Sequence, residues 1–250
     1  VTAPGRAGPA RRRSPLVVLV LAGLAFAVLV GLGSWQVRRL AWKEALIARV
    51  EERLAEPAAP LPDPSGWPAL TDEAIEYRPV RLAGTFDHDR EIHVFIALSQ
   101  PKGPLGGQGY FVVTPMTLDD GHVVFVNRGF VPSDRKDPAT RSEGQVAGRV
   151  EIEGLLRPPE AATWLSPASD RVKNVWFVRD PMEMAAASGI DPARVAPFTV
   201  DARAGLTPGG LPQGGETIVA FTNNHLGYAI TWFGLAAALV AVTTLFLRRR

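Results

Sequence analysis

The side chains best suited to chemistry in this 250-residue chain gather around one position. His225 stands just before an uncharged run, Tyr228–Leu247, and is the only histidine beside such a run. A neutral imidazole is a common protein ligand for heme iron. On a helix, His225, Tyr228 and Trp232 fall at i, i+3 and i+7 and share a face, which would set an aromatic wall beneath an iron ligand. On side-chain chemistry alone the same residues read more readily as an interfacial polar group followed by two aromatics of a membrane belt. That chemistry leaves both readings open. Trp35 and Gln36 close the other long apolar run of the chain. Trp35 suits either a wall of such a site or a belt position, whereas Gln36 is expected on a solvated helix face.

The other polar motifs point to structure. A copper site would need His88, His93 and His122 to converge. His88 and His93 are five apart, so on one strand they would face opposite ways, and His122 adjoins a turn. Asn127-Arg128-Gly129 interrupts a strongly apolar strand. Gly129 there is expected to allow a bulge or a close backbone approach. Arg128 suits a structural ion pair, with a heme propionate as the other carboxylate it could meet. Arg179 is read the same way, with Asp180 as a helix cap. The glycine-rich segment Lys102–Gly109 lacks the Gly-Lys-Ser/Thr ending and the following helix of a phosphate loop, and is expected to be a mobile loop. No Gly-x-Ser-x-Gly, His-Glu-x-x-His or plausible carboxylate pair occurs, so no catalytic residue is expected. Without cysteine there are no disulfides, thiolate metal sites or cysteine nucleophiles. A net charge of +2 gives no sign of nucleic-acid binding.

The elements that must position these residues begin with two apolar segments. Leu16–Gly33 carries no charge and matches the shorter end of what crosses ~30 Å of hydrocarbon; Tyr228–Leu247 is likewise uncharged. Backbone groups in lipid must bond internally, so both are expected to be helices. The first is longer than a signal-peptide core and no A-x-A site follows it. Orientation follows from the second: Arg248, Arg249 and Arg250 come after it, and no Lys or Arg lies between Gly205 and Leu226. Both termini are therefore expected in the cytoplasm of a multi-pass protein of the bacterial inner membrane, with the middle domain periplasmic (or, in a mitochondrion, in the intermembrane space). The expected layout is a cytoplasmic tail over 1–15, a transmembrane helix over 16–35, a β-rich domain over 36–226, a second transmembrane helix over 227–247 and a cytoplasmic end at 248–250.

Within the domain, Gln36–Leu54 continues in a helical pattern. Strands are expected at Tyr77–Phe86, Glu91–Leu98, Gln108–Thr117, His122–Phe130, Val146–Arg157, Asn174–Arg179, Phe198–Ala202 and Glu216–Thr222. Val123, Phe125 and Asn127 would face one way, and Val124, Val126 and Arg128 the other. Asp119-Asp120-Gly121 reads as a hairpin connection. Asp180–Gly189 reads as a short helix with Asp180 as its cap and Gly189 as its stop. The fold class expected is a membrane protein in which two transmembrane α-helices flank a mostly antiparallel β (α+β) soluble domain, sandwich-like or barrel-like.

LGSWQVRRLAWKEALI (Leu32–Ile47), YRPVRLAGTFDH (Tyr77–His88), GYFVVTPM (Gly109–Met116), VNRGFVP (Val126–Pro132), WFVRDPMEMA (Trp176–Ala185) and NNHLGYAITWFGLA (Asn223–Ala236) follow one another as they do in a known family. In these six motifs the chain resembles the surfeit-locus (Surf/Shy) family of cytochrome c oxidase assembly proteins. The resemblance implies an assembly factor for heme-copper oxidase, binding heme a transiently and passing it to the oxidase catalytic subunit. His225 would then be the iron ligand, with Tyr228, Trp232 and Trp35 around the cofactor. Membrane lipid would be a partner, and heme a synthase a possible second protein partner. The protein would not be an enzyme: chemistry on heme would call for several histidines within the spans, and there are none. The alternative is a scaffold that stabilises oxidase assembly intermediates without binding heme.

Overall fold

The computed structural model describes residues 15–205, 207–217 and 223–249. Helices are α1 (Pro15–Ala55), α2 (Asp72–Ile75), α3 (Pro181–Ser188) and α4 (His225–Arg248). Strands are β1 (Ala59–Pro60), β2 (Pro79–Phe86), β3 (Ile92–Leu98), β4 (Gly107–Leu118), β5 (Val123–Pro132), β6 (Arg149–Arg157) and β7 (Val195–Ala202). The chain divides into a helical unit, residues 15–49 with 223–249, and a strand-rich unit, residues 50–217.

α1 is one unbroken helix that runs on through Trp35 and Gln36, as the pattern of that segment predicts. Nothing after Pro15 interrupts it until Pro57. Within the helical unit α1 and α4 lie antiparallel. Gln36 meets His225 at one end, and Leu19 and Leu247 line a common hollow at the other. Their contact uses small residues: Ala229 and Ala236 are buried, and a Cβ on Gly33 would come 2.8 Å from the Phe233 ring. Small residues let helix backbones approach in lipid, where no hydrophobic force drives them together. The outward sides carry exposed Leu16, Leu24, Val28, Ile230, Leu235 and Val242. Both helices are long and apolar enough to cross a bilayer, and so much exposed apolar surface fits membrane association.

The strand-rich unit contains a closed barrel. β2 pairs with β6, β6 with β7, β7 with β5, β5 with β4, and β4 returns to β2. β3 extends the sheet beyond β4, and β1 lies against β2. The expected mostly antiparallel domain is found, in its barrel form; β5–β7 and β1–β2 are the parallel pairings. The alternation expected along β5 sorts its side chains into two cores. Val124 and Val126 point inward with Val80, Leu82, Met116, Leu156, Phe198 and Val200. Val123 and Phe125 point outward into a second core with Val94, Phe111, Val113, Trp176 and Met184, beneath α3. Burial on both faces is why β5 is apolar at nearly every position.

α3 is capped as expected: the Asp180 carboxylate accepts from the amides of Met182 and Glu183, and Gly189 ends the helix at φ 65°. Asp119–Gly121 forms the β4–β5 hairpin turn. The bulge expected at Gly129 is present. Val112 faces Gly129 while Val113 faces Asn127, which leaves Arg128 as the extra residue. Asn127 Oδ1 accepts from the Gly129 amide, and at φ 130° a Cβ on Gly129 would meet the Gln213 carbonyl at 2.1 Å.

Three expectations change. Asn174–Arg179 is not a strand. Asn174 sits at φ 49° and turns the chain, so that only one rung at Trp176 pairs with β3 before Asp180 begins the helix. In the expected strand at Glu216–Thr222, residues 218–222 lie outside the described residues, and Glu216 and Thr217 belong to no strand. The glycine-rich segment is anchored: the amides of Lys102 and Gly103 bind the buried Glu216 carboxylate, Leu105 exchanges hydrogen bonds with the Gln213 amide, and Gly107–Gly109 open β4.

Candidate functional site

The site begins where α4 begins. Asn224 caps the helix by backbone only, its carbonyl accepting from the Tyr228 amide, and His225 is the first helical residue. The His225 ring turns toward α1, where Nδ1 lies 2.7 Å from Gln36 Oε1. An amide oxygen only accepts, so Nδ1 carries the proton and donates. In the neutral ring Nε2 then holds the lone pair, and it has no hydrogen-bond partner among the described residues. Such an imidazole, with one nitrogen held by a fixed acceptor and the other free, is the arrangement in which histidine ligates a metal: the outer partner sets tautomer and ring direction.

Gln36 corrects the reading of α1. It is 8% exposed rather than solvated. It lies one turn after Gly33 on the side that faces α4, so the residue that permits close approach and the residue that exploits it share a face. Trp232, two turns past His225, is half-buried. Tyr228 and Trp35 are 56% and 51% exposed. The three aromatics therefore divide: Trp232 belongs to the side of α4 that carries His225, Ala229 and Ala236, while Tyr228 and Trp35 present their rings outward. Nothing in the pattern of either helix alone marks Gln36 as special, since its partner is 189 positions away.

The remaining histidines do not converge, and no group of three or more potential metal ligands of the His, Cys, Asp and Glu types occurs among the described residues. His93 lies on β3 inside a buried cluster, 2.8 Å from Glu91, whose carboxylate also binds the Arg141 guanidinium. Burial alone would push the Glu91 carboxyl up. The hydrogen bonds from His93 and Arg141 outweigh it and hold the pKa at about 2. His122 stacks edge-on against Trp67. His88, in a turn after β2, donates from Nε2 to the Val146 carbonyl and accepts from Arg128 at Nδ1. Arg179 forms the structural ion pairs expected of it, with Asp201 at 2.7 Å and Glu160 at 2.6 Å. Arg128 does not: its partners are His88 and the Gly144 carbonyl, and no carboxylate lies within 4 Å among the described residues.

The chain thus joins a five-stranded barrel in sequence to two apolar helices, which share a half-buried Gln36–His225 hydrogen bond. The model of the SURF1 family matches residues 23–237. Surfeit locus protein 1 of Rattus norvegicus is 38% identical over 223 residues, covering 85% of this chain and 70% of the relative. The human protein of the same name is 37% identical over 220 residues, covering 83% and 70%. A SURF1-like protein of Drosophila melanogaster is 38% identical over 226 residues, covering 85% and 71%. The chain belongs to the SURF1 family.

Proposed function

We propose that the protein is a membrane-embedded assembly factor for heme-copper cytochrome c oxidase that holds heme a as cargo, with His225 as the iron ligand. The observation that carries this reading is the Gln36–His225 hydrogen bond, which leaves Nε2 as the free nitrogen. Bound there, the iron would draw on the imidazole as a neutral donor. This chain's own part is to fix the ring: Gln36 holds Nδ1–H, and Gly33 and Ala229 bring the helices close enough for that bond. Trp232 offers an apolar surface next to the ligand, with Tyr228 and Trp35 as outward aromatics for the macrocycle or its tail.

With both ends cytoplasmic, His225 and Gln36 fall at the outer surface of the membrane, periplasmic in a bacterium and intermembrane in a mitochondrion. The oxidase catalytic subunit is the recipient, heme a synthase is a candidate donor, and no reaction is catalysed. The test is an absorption spectrum of the full chain purified in detergent from cells that make heme a. Heme a should co-purify with the parent protein and be lost from His225→Ala. If none co-purifies with the parent, or if His225→Ala retains it unchanged, the ligand assignment fails. Isolation with the oxidase catalytic subunit regardless of heme supply would then favour the scaffold.

A further inference from the structure

The barrel has one plugged mouth and one open mouth, and the open one is built around a cation with no anion. Trp67 packs on Phe198 and His122, at the leading ends of the parallel strands β7 and β5. Arg128 and Ala202 stand toward the opposite ends of these strands. There a cavity of about 560 Å³ opens, lined by inward-facing Phe86, Val150, Ile152 and Ala202 from three strands, with Arg128 from a fourth. That volume is in the range of small-molecule sites, and the mouths of small barrels are a recurrent place for them.

Arg128 is only 7% exposed. Among the described residues the other two deeply buried arginines each hold a carboxylate, Arg141 that of Glu91 and Arg179 that of Asp201. Arg128 has a carbonyl and a neutral imidazole nitrogen instead, and its guanidinium lies 4.9 Å from the Phe86 ring centre. Burial lowers its pKa to about 10, with Glu91 opposing and the Arg141 charge adding, so it stays charged at neutral pH. A buried charge without a counter-charge is costly, and a bound anion would relieve that cost. The carboxylates on the cavity wall are already engaged at its rim, Glu151 with Arg81 and Glu153 with both Arg81 and Arg203. The extra residue of a β-bulge is thus what aims this guanidinium, and bulges often re-aim side chains at sites.

We propose that the open mouth of the barrel is a binding site for an amphipathic carboxylate, its acid group on Arg128 and its apolar body against Phe86, Val150, Ile152 and Ala202. This goes beyond the heme reading and does not involve His225. An acyl chain and the free C-terminus of an apolar peptide share the required chemistry. The experiment is titration calorimetry on the full chain in detergent with 4-phenylbutyrate, with 4-phenylbutanol as its neutral counterpart. The acid should bind at least tenfold tighter than the alcohol. Arg128→Gln should remove that preference, and Ala202→Phe, which fills the mouth while leaving the Arg128 side chain in place, should abolish binding. His225→Ala should leave it unchanged, so this site and the heme site fail separately. Octanoate, and N-acetyl-Leu-Phe with a free or an amidated terminus, then identify the source: tighter binding of either acid than of its neutral form supports the site. Equal binding of acid and neutral forms throughout, or binding that survives Ala202→Phe, overturns the proposal even if Arg128→Gln does not fold.

Discussion

Gln36 and His225 lie 189 positions apart in the chain and 2.7 Å apart across the helix pair. The amide oxygen takes the Nδ1 proton, so the free nitrogen is decided by a residue that need touch no ligand. Replacing Gln36 with Leu keeps the helix and its burial but removes the acceptor. In metal sites the loss of such an outer partner costs roughly 10–100-fold in affinity. Gln36→Leu should therefore retain substoichiometric heme a on purification, between the parent and His225→Ala, with Gln36→Glu restoring much of it. Heme content per protein by pyridine hemochrome measures this.

Gly33 sets the approach of the helices. A Cβ there would come 2.8 Å from the Phe233 ring, too close without movement. Gly33→Val should cost about 1–3 kcal/mol as an overpacked contact and lengthen the Gln36–His225 separation. The expected outcome is a lowered unfolding temperature together with reduced heme retention. Gly23, where a Cβ meets nothing within 4 Å, is the control, and Gly23→Ala should change neither.

The cluster of Glu91, His93 and Arg141 makes barrel stability depend on pH. The Glu91 carboxyl is held at about 2 against an ordinary 4.5. A depressed folded-state pKa contributes stability that is present above the unfolded value and is lost as pH falls through the folded one. The midpoint in a urea titration should thus fall between about pH 4.5 and pH 2. Arg141→Met strands a buried carboxylate and should cost about 3–5 kcal/mol at neutral pH, while Glu91→Gln/Arg141→Met together should cost less than Arg141→Met alone.

Gly129 and Gly189 both hold positive φ, yet they should respond differently to alanine. At Gly189 a Cβ meets nothing within 4 Å, so Gly189→Ala carries only the left-handed strain of about 1 kcal/mol. At Gly129 the Cβ would also collide with the Gln213 backbone, which bridges Phe130 through two hydrogen bonds of 2.8 Å. Gly129→Ala should cost about 3 kcal/mol or more and disturb the bulge that aims Arg128. Denaturant unfolding of the two variants checks the ranking.

Much of this architecture is set by local pattern. The two uncharged runs could only be helices, the alternation along β5 marks a strand with two distinct faces, and Asp180, Pro181 and Gly189 mark the ends of α3 because caps act within a few residues. Gly129 was legible as a bulge because a glycine between a polar pair and an apolar run has few other uses. The tertiary structure decided what depends on distant partners. Whether the strands formed a sandwich or closed into a barrel rested on the β2–β4 pairing. Trp176 lost its strand because Asn174 turns the chain immediately before it. Gln36 became a buried acceptor only because α4 returns antiparallel with His225 at its first position, and Arg128 remained without a carboxylate because none of the strands around it brings one within reach. Periodicity tells which face of an element is buried; which group waits on the other side is set by chain return over a hundred residues or more, and no local spacing encodes it.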